Sequence, residues 1–310
     1  MEAIKTEQLT KRYRSFQAVN QVNLSVQTGE IYGFIGLNGA GKTTTMRLLL
    51  NMLKPTSGHT KLLGQNIQQV PSEFWNNVGY LIETPHAYPH LTVAENLDLY
   101  GQLRLIPKSL RKQRITILMD QLELTPYRNV PVQNLSLGNN QKIGLIKALI
   151  HQPKILLLDE PTNGLDPQGL AVVRQLLTHL AHDEGVTILI SSHILGEMEK
   201  MFTTIGILDH GQLLRQQTRA DYLKSADQHL ALTFADAQTT TRAQQLLTDH
   251  RITNRVTAPN QLQLAETQDT TAKLQLLLQH QLLPIDWHQE VESMANYFLS
   301  VIHQEVPTSC

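Results

Sequence analysis

Gly36-Leu37-Asn38-Gly39-Ala40-Gly41-Lys42-Thr43 has the spacing G-x-x-x-x-G-K-[ST] of a phosphate-binding loop. Its three glycines let backbone N–H groups turn toward phosphate oxygens, where a bulkier side chain would block the approach. Lys42 adds a mobile positive charge, and the Thr43 hydroxyl is placed to ligate Mg²⁺. The flanks agree. Ile31-Tyr32-Gly33-Phe34-Ile35 reads as a buried strand. Beyond the loop, Met46, Leu49, Leu50 and Leu53 recur at i, i+3, i+4 and i+7, the apolar stripe of a helix. A phosphate held by the loop therefore meets a helix N-terminus, where orphan N–H groups and the helix dipole favour an anion. The stretch predicts nucleotide binding on an α/β sheet.

Working outward, the 310 residues are enough for about two domains. A hydrophobic content of 41% supports an ordinary core. The net charge of −1 gives no electrostatic footprint for nucleic acid, which is not expected as a partner. The single cysteine, Cys310, rules out a disulfide framework and fits a reducing cytosol. Met1-Glu2-Ala3-Ile4-Lys5 lacks the basic start and apolar centre of a secretory signal. No apolar run approaches the roughly 18 residues of a bilayer span, so a membrane role has to come through a partner. Of thirteen histidines, His179 and His182 form an i, i+3 pair without further ligands at zinc-like spacing, and read as surface.

Along the chain, residues 3–35 alternate as strands, with Gly29-Glu30 as a turn. Tyr13 stands among them either as an aromatic platform for a purine or as an edge-strand tyrosine. Thr60–Leu63 and Val78–Ile82 read as strands. From Thr92 to about Leu122 the pattern is helical, opened by the capping box Thr92-Val93-Ala94-Glu95. This is a helical insertion between two halves of an α/β domain. Leu135-Ser136-Leu137-Gly138-Asn139 opens another helix. Ser136 serves either as its N-cap or as part of a second anion-binding helix start.

Ile155-Leu156-Leu157-Leu158-Asp159-Glu160 is a short buried strand with two carboxylates at its C-terminal end, where ligands bind in open α/β sheets. Asp159 is placed to hold Mg²⁺ and Glu160 to polarise an attacking water. Asp166, in Asn163-Gly164-Leu165-Asp166-Pro167, is an N-cap at the least, and its helix runs to about His182. Val186–Ile190 is a strand ending in Ser191-Ser192-His193, whose histidine is either structural or stands where a third strand end meets the same crevice. Thr203–Asp209 and Gln212–Arg215 close as a hairpin. Past about Ser225 the composition turns to Gln and Thr. Leu230–Phe234, Ile252–Val256 and Gln261–Leu264 read as strands, Thr240–Leu247 and Ala272–Leu278 as helices, and Val291–Ile302 as a last amphipathic helix. This segment is a small α/β appendage without identifiable chemistry.

Taken in order, these motifs resemble the nucleotide-binding subunit of an ABC transporter over roughly residues 1–220. The resemblance implies a P-loop NTPase fold with a RecA-like core, an N-terminal antiparallel β subdomain and a helical insertion at about 84–150. The domain would span 1–222, followed by an accessory α/β domain at 226–310. It implies ATP and Mg²⁺ as cofactors. Tyr13 resembles the aromatic that stacks on adenine. Gly36, Asn38, Gly39, Ala40, Gly41, Lys42, Thr43 and Thr44 resemble Walker A. Ser136, Gly138 and Asn139 resemble the signature motif, and Asp166 the D-loop aspartate. Asp159 and Glu160 resemble the Walker B magnesium residue and catalytic base, and His193 the switch histidine at the γ-phosphate.

Two departures stand out. Glu83 replaces the usual glutamine that contacts magnesium and water, and Leu137 replaces a glycine of the signature. Both are similar to variants in the bacterial subgroup that exports bacitracin, lantibiotics and related peptides. The resemblance further implies a second ATPase subunit, most simply another copy, completing composite ATP sites. It implies a transmembrane permease docked near Glu83 and the helical insertion, and a cytoplasmic, membrane-peripheral location. A soluble ABC ATPase of translation or DNA repair is the rival reading. Such chains usually carry two ATPase units or a long coiled-coil insertion, and this chain has one P-loop and no room for the coiled coil.

Overall fold

A computed structural model describes residues 1–83, 87–192, 195–225, 228–265, 269–291 and 293–305. The chain divides into two compact units, one of Met1–Arg219 with the chain end from Val301, the other of Ala220–Ser300.

The first unit opens with β1 (Glu2–Tyr13), β2 (Phe16–Val22) and β3 (Ser25–Gln27), continues through β4 (Ile31–Ile35) into the P-loop and α1 (Lys42–Leu49), and returns in β5 (Ser57–Leu62) and β6 (Gln65–Asn66). β1 pairs antiparallel with β2, β3 and β5, giving an antiparallel sheet of order β2-β1-β5-β6 with β3 attached to β1. Helix α1 is shorter than its apolar stripe suggests. Leu50 is its C-cap and Asn51 turns left-handed at φ 56°, so Leu53 lies past the helix, packed against the core from a loop.

β7 (Val78–Leu81) leads to the helical insertion, α2 (Val93–Leu103), α3 (Lys108–Gln121) and α4 (Leu137–Leu149). The expected capping box forms, with Glu95 N–H donating to Thr92 Oγ1 at 3.2 Å and Thr92 N–H to Glu95 Oε2 at 2.8 Å. Arg111, buried at the start of α3, ties it to α2 by donating to Asp98 at 2.6 Å. The chain then runs through β8 (Ile155–Asp159), α5 (Pro167–His182), β9 (Thr187–Ser191), α6 (Leu195–Glu199), β10 (Thr204–Asp209) and β11 (Gln212–Thr218). These strands complete a six-stranded sheet of order β11-β10-β4-β9-β8-β7, parallel throughout except for the β10–β11 hairpin. β4, β8 and β9 are buried along their whole length, as unbroken apolar runs inside a sheet covered on both faces require. The parallel strands all end on one side, where the P-loop follows β4 and Asp159 ends β8.

The chain enters the second unit one residue into α7 (Arg219–Ser225) and continues through β12 (Gln228–Thr233), α8 (Ala237–Asp249), β13 (Asn254–Ala258), β14 (Gln261–Leu264), α9 (Thr270–Gln279) and β15 (Asp286–Val291) into α10 (Met294–Glu305). The unit's antiparallel sheet has the order β13-β14-β12-β15, a split β-α-β arrangement. Leu230, Leu232, Leu262 and Leu264 form the core with Ala243, Leu247 and Leu277 of the two helices. Here the sequence reading needs correction. Val291 ends β15, and the last helix starts only at Met294. Asp286–Val291 is polar, so alternation did not mark it. Its register against β12, with Trp287 opposite Leu232, makes it a strand.

Candidate functional site

β4 delivers the chain into the P-loop through Gly36, where an added Cβ would stand 2.4 Å from the Leu208 carbonyl oxygen of β10. Leu37, Asn38 and Gly39 are exposed, Ala40 is buried, and the loop closes at Gly41 with φ 108°. Gly41 is the N-cap of α1, and it also lies against β2, where a Cβ would meet the Ala18 carbonyl oxygen at 2.4 Å. Only glycine fits a left-handed position under such contact. No side chain caps α1, so the N–H groups of its first turn, including those of Thr43 and Thr44, carry no capping bond.

Lys42 is buried, its ammonium donating to the carbonyl oxygens of Gly36 at 2.6 Å and Leu37 at 3.1 Å. Burial lowers its pKa from the ordinary lysine value, and the charges of Glu160 and Asp159 oppose that shift. The ammonium therefore lies in the field of both carboxylates at the end of β8. The Thr43 hydroxyl donates to Asp159 Oδ2 at 2.5 Å. The other carboxylate oxygen, Asp159 Oδ1, accepts from the Ser191 hydroxyl at 2.5 Å, and the Ser191 oxygen accepts from Glu160 N–H at 3.1 Å. Asp159 and Ser191 are partners in the β8–β9 register, so the parallel sheet itself sets this relay.

Glu160 has φ 50°, a left-handed conformation unusual for a glutamate. Its N–H is held by Ser191 and its carbonyl oxygen accepts from Gln141 Nε2 of α4 at 3.0 Å. Backbone held on both sides at a strained dihedral marks a position whose side-chain direction matters. The motif reading missed Ser191 and Gln141 as supports. Their signal is spatial: one faces Asp159 across a strand pair, and the other lies inside a helix whose start alone looked functional.

The remaining predicted residues are dispersed around this centre. Ser136 is the N-cap of α4, its hydroxyl accepting from Asn139 N–H at 3.2 Å, and Asp166 is the N-cap of α5, accepting from Gly169 N–H at 2.9 Å. Ser136, Gly138 and Asn139 share one cleft with Gly164, Leu165 and Asp166, and no residue of the P-loop lines it. Tyr13 is half-exposed at the end of β1, in a hairpin with Phe16, which is 61% exposed and is a second aromatic the sequence reading passed over. The two rings stand at the tip of strands whose Ala18 touches the P-loop. Glu83, at φ 63°, is not part of the Thr43–Asp159 pair; its carboxylate takes the guanidinium of Arg47 on α1. His193 lies outside the described residues.

The profile of the family described as ABC transporter matches residues 19–163. The chain is 42% identical over 221 residues to the bacitracin transport ATP-binding protein BcrA of Bacillus licheniformis, covering 71% of each. It is 35% identical over 216 residues to the lantibiotic transport ATP-binding protein SrtF of Streptococcus pyogenes, covering 69% of this chain and 90% of that one. Among solved structures, the ATP-binding subunit of an ABC transporter superposes with a TM-score of 0.66 at 26% identity, over 72% of this chain and 92% of the other. A dimeric ATP-binding cassette in a post-hydrolysis state, bound to ADP and Pi, superposes with a TM-score of 0.64 at 25% identity, over 70% and 98%. Among the described residues no helix is long and apolar enough to cross a membrane. The chain belongs to the ABC transporter family, as an ATP-binding and ATP-hydrolysing subunit.

Proposed function

We propose that this subunit powers export of a peptide antibiotic or bacteriocin through a separate membrane permease, with two copies of the chain closing around two ATP molecules. The observation that carries the catalytic reading is the meeting of Thr43 with Asp159 at 2.5 Å, beside the buried Lys42. A hydroxyl and a carboxylate are hard oxygen donors of the kind Mg²⁺ takes, and they converge where the P-loop would hold phosphate. The chemistry a bound Mg²⁺ supplies is neutralisation of charge on the phosphate oxygens. Thr43 and Asp159 would hold it. Lys42 exchanges its loop carbonyls for phosphate oxygens, and the backbone N–H groups of Gly39 and of Gly41 to Thr44 cradle them, Ala40 N–H being held by the Leu37 carbonyl oxygen at 3.1 Å. Tyr13 stacks on adenine. Glu160, aimed by its pinned backbone, orients a water in line with the γ-phosphorus, and His193 contacts that phosphate.

The cleft of Ser136, Gly138 and Asn139 has no P-loop residue in its lining, so this half of the cage serves the nucleotide of a second subunit. Closure excludes water and completes the donors around the γ-phosphate, and hydrolysis removes the contacts that favoured closure. The permease docks near Glu83 and the helical insertion, where Leu103 is 72% and Leu105 89% exposed. This docking holds the chain on the cytoplasmic face of the membrane. The peptide substrate class rests on the bacitracin and lantibiotic transport relatives.

Two measurements test the reading. Glu160→Gln should lower ATP turnover by about 10²–10⁴-fold while keeping ATP binding, and substantial steady-state hydrolysis by that variant removes Glu160 as the base. Tagged chain pulled from detergent-solubilised membranes should bring down a polytopic membrane protein in stoichiometric amount. Recovery with ribosomes or nucleic acid and no membrane protein would instead support a soluble factor.

A further inference from the structure

Leu137 stands where the signature has a glycine. It is 60% exposed at the first helical position of α4 and lies over Gly164 of the loop that leads into α5. A Cβ built on Gly164 would stand 2.6 Å from Leu137 Cδ2, 2.7 Å from Cγ and 3.2 Å from Cβ. Gly164 itself has φ 73°. The contact is reciprocal one residue on: a Cβ on Gly138 would stand 2.6 Å from the Gly164 carbonyl oxygen and 3.3 Å from Leu165 Cδ2. Each segment thus supplies a leucine that covers a glycine of the other. A further tie links the helices that follow, since Glu123 accepts from Gln168 Nε2 of α5 at 3.0 Å and lies 4.0 Å from Lys142 Nζ of α4.

We propose that Leu137 and Gly164 form an intrasubunit lock that makes the signature helix start and the Asp166 loop move as one body. Leu137 is then a positioning residue. Its side chain is spent on its own subunit's loop, which leaves the backbone of Gly138 and the Ser136 hydroxyl facing the shared cleft. The bulk of Leu137 is tolerated because position 164 is bare, and Gly164 is favoured twice over, by its φ of 73° and by the leucine that lies on it. The consequence for turnover rests on the two-subunit reading above. The lock itself does not.

The test uses the purified full chain with Leu137→Ala, Gly164→Ala and the double variant. Alanine at 137 keeps helix propensity, and the position is exposed enough to leave folding intact. Without nucleotide, amide exchange at residues 163–169 should quicken about fivefold or more in Leu137→Ala, with residues 36–44 unchanged. In steady-state hydrolysis Leu137→Ala and Gly164→Ala should each lower kcat severalfold with KM nearly constant. The double variant, which removes Cγ and Cδ2, should recover part of the Gly164→Ala loss. Unchanged exchange at 163–169 in Leu137→Ala overturns the lock whatever turnover does. Faster exchange with unaltered kcat, or strictly additive losses, overturns the positioning role. If the parent chain hydrolyses no ATP, the functional reading fails, and the exchange data still decide the lock.

Discussion

Two helix starts in the first unit are assigned to phosphate by the proposed function, those of α1 and α4, and they are built differently. At α1 the N-cap is Gly41, left-handed and without a side-chain bond to the first turn. At α4 the N-cap is Ser136, whose hydroxyl already accepts from Asn139 N–H. The first start leaves its orphan donors for an anion, whereas the second satisfies one of them from its own chain. The surroundings differ in the same sense. Gly36 and Gly41 are wedged against the carbonyls of Leu208 and Ala18, and Lys42 is buried. Ser136 and Leu137 are exposed. A preformed, rigid start suits a site that binds nucleotide in a single subunit. A self-capped, exposed start suits one that meets phosphate only on closure, when the ligand must compete with the serine hydroxyl.

The largest effect expected in this comparison comes from breaking the rigid start. Gly41→Ala adds a methyl 2.4 Å from the Ala18 carbonyl oxygen at φ 108°. It should cost about 1–3 kcal/mol of stability, read by denaturant unfolding, and lower ATP affinity of the isolated chain at least about tenfold. Retained affinity would show that the α1 start is not preformed.

Next in size is a pH effect at the far end of α4, where His151 anchors the signature helix to β7. Its Nε2–H donates to the Val78 carbonyl oxygen at 3.1 Å, and its buried Nδ1 has no partner. Burial first, then the charge of Arg104, pushes its pKa down to about 4. The imidazole is thus neutral in the fold, while the unfolded chain binds a proton below about 6.5. Stability is full above pH 6.5 and is lost as pH falls toward 4. Discounted for partial exposure, the loss is about 1–2 kcal/mol. His151→Asn should flatten the unfolding profile between those limits, and an unchanged slope would exclude His151 as its source.

Ser136→Ala removes the cap and should cost about 1 kcal/mol of stability. Turnover should fall about tenfold while ATP affinity of the single chain stays the same. A loss of affinity equal to that of Gly41→Ala would erase the distinction between the two starts.

Most of the first unit was legible because its signals are local. The P-loop glycines, the apolar runs of β4, β8 and β9 and the capping box at Thr92 are each short stretches whose physics admits few alternatives. What escaped depends on partners distant in sequence. Ser191 becomes part of the site only because β8 and β9 lie in parallel register, and Gln141 only because α4 passes Glu160. β15 is polar by itself and is a strand only beside β12. The stripe ending at Leu53 has helical spacing throughout, and apolar spacing does not reveal the left-handed turn at Asn51. The bulk of Leu137 was legible as a departure from the signature. Its accommodation was not, since nothing in the sequence places it over Gly164.

The smallest expected effect concerns Glu83, which sharpens the comparison on the α1 side. Arg47 lies one turn beyond Thr43 on the same helix face, so its ion pair holds Glu83 to the helix that carries Thr43, outside the Thr43–Asp159 pair. Both side chains are substantially exposed, and the ion pair is worth at most about 1 kcal/mol. Glu83 is therefore free to exchange partners at low cost. Glu83→Gln should raise the Mg²⁺ concentration for half-maximal hydrolysis about two- to threefold, with metal-free nucleotide affinity and stability unchanged. Arg47→Ala, which releases the carboxylate, should shift the same midpoint downward. Opposite shifts in the two variants mean that Arg47 and the metal compete for Glu83. A magnesium titration unmoved by either removes Glu83 from the metal site and leaves it an ion-pair partner of α1 alone.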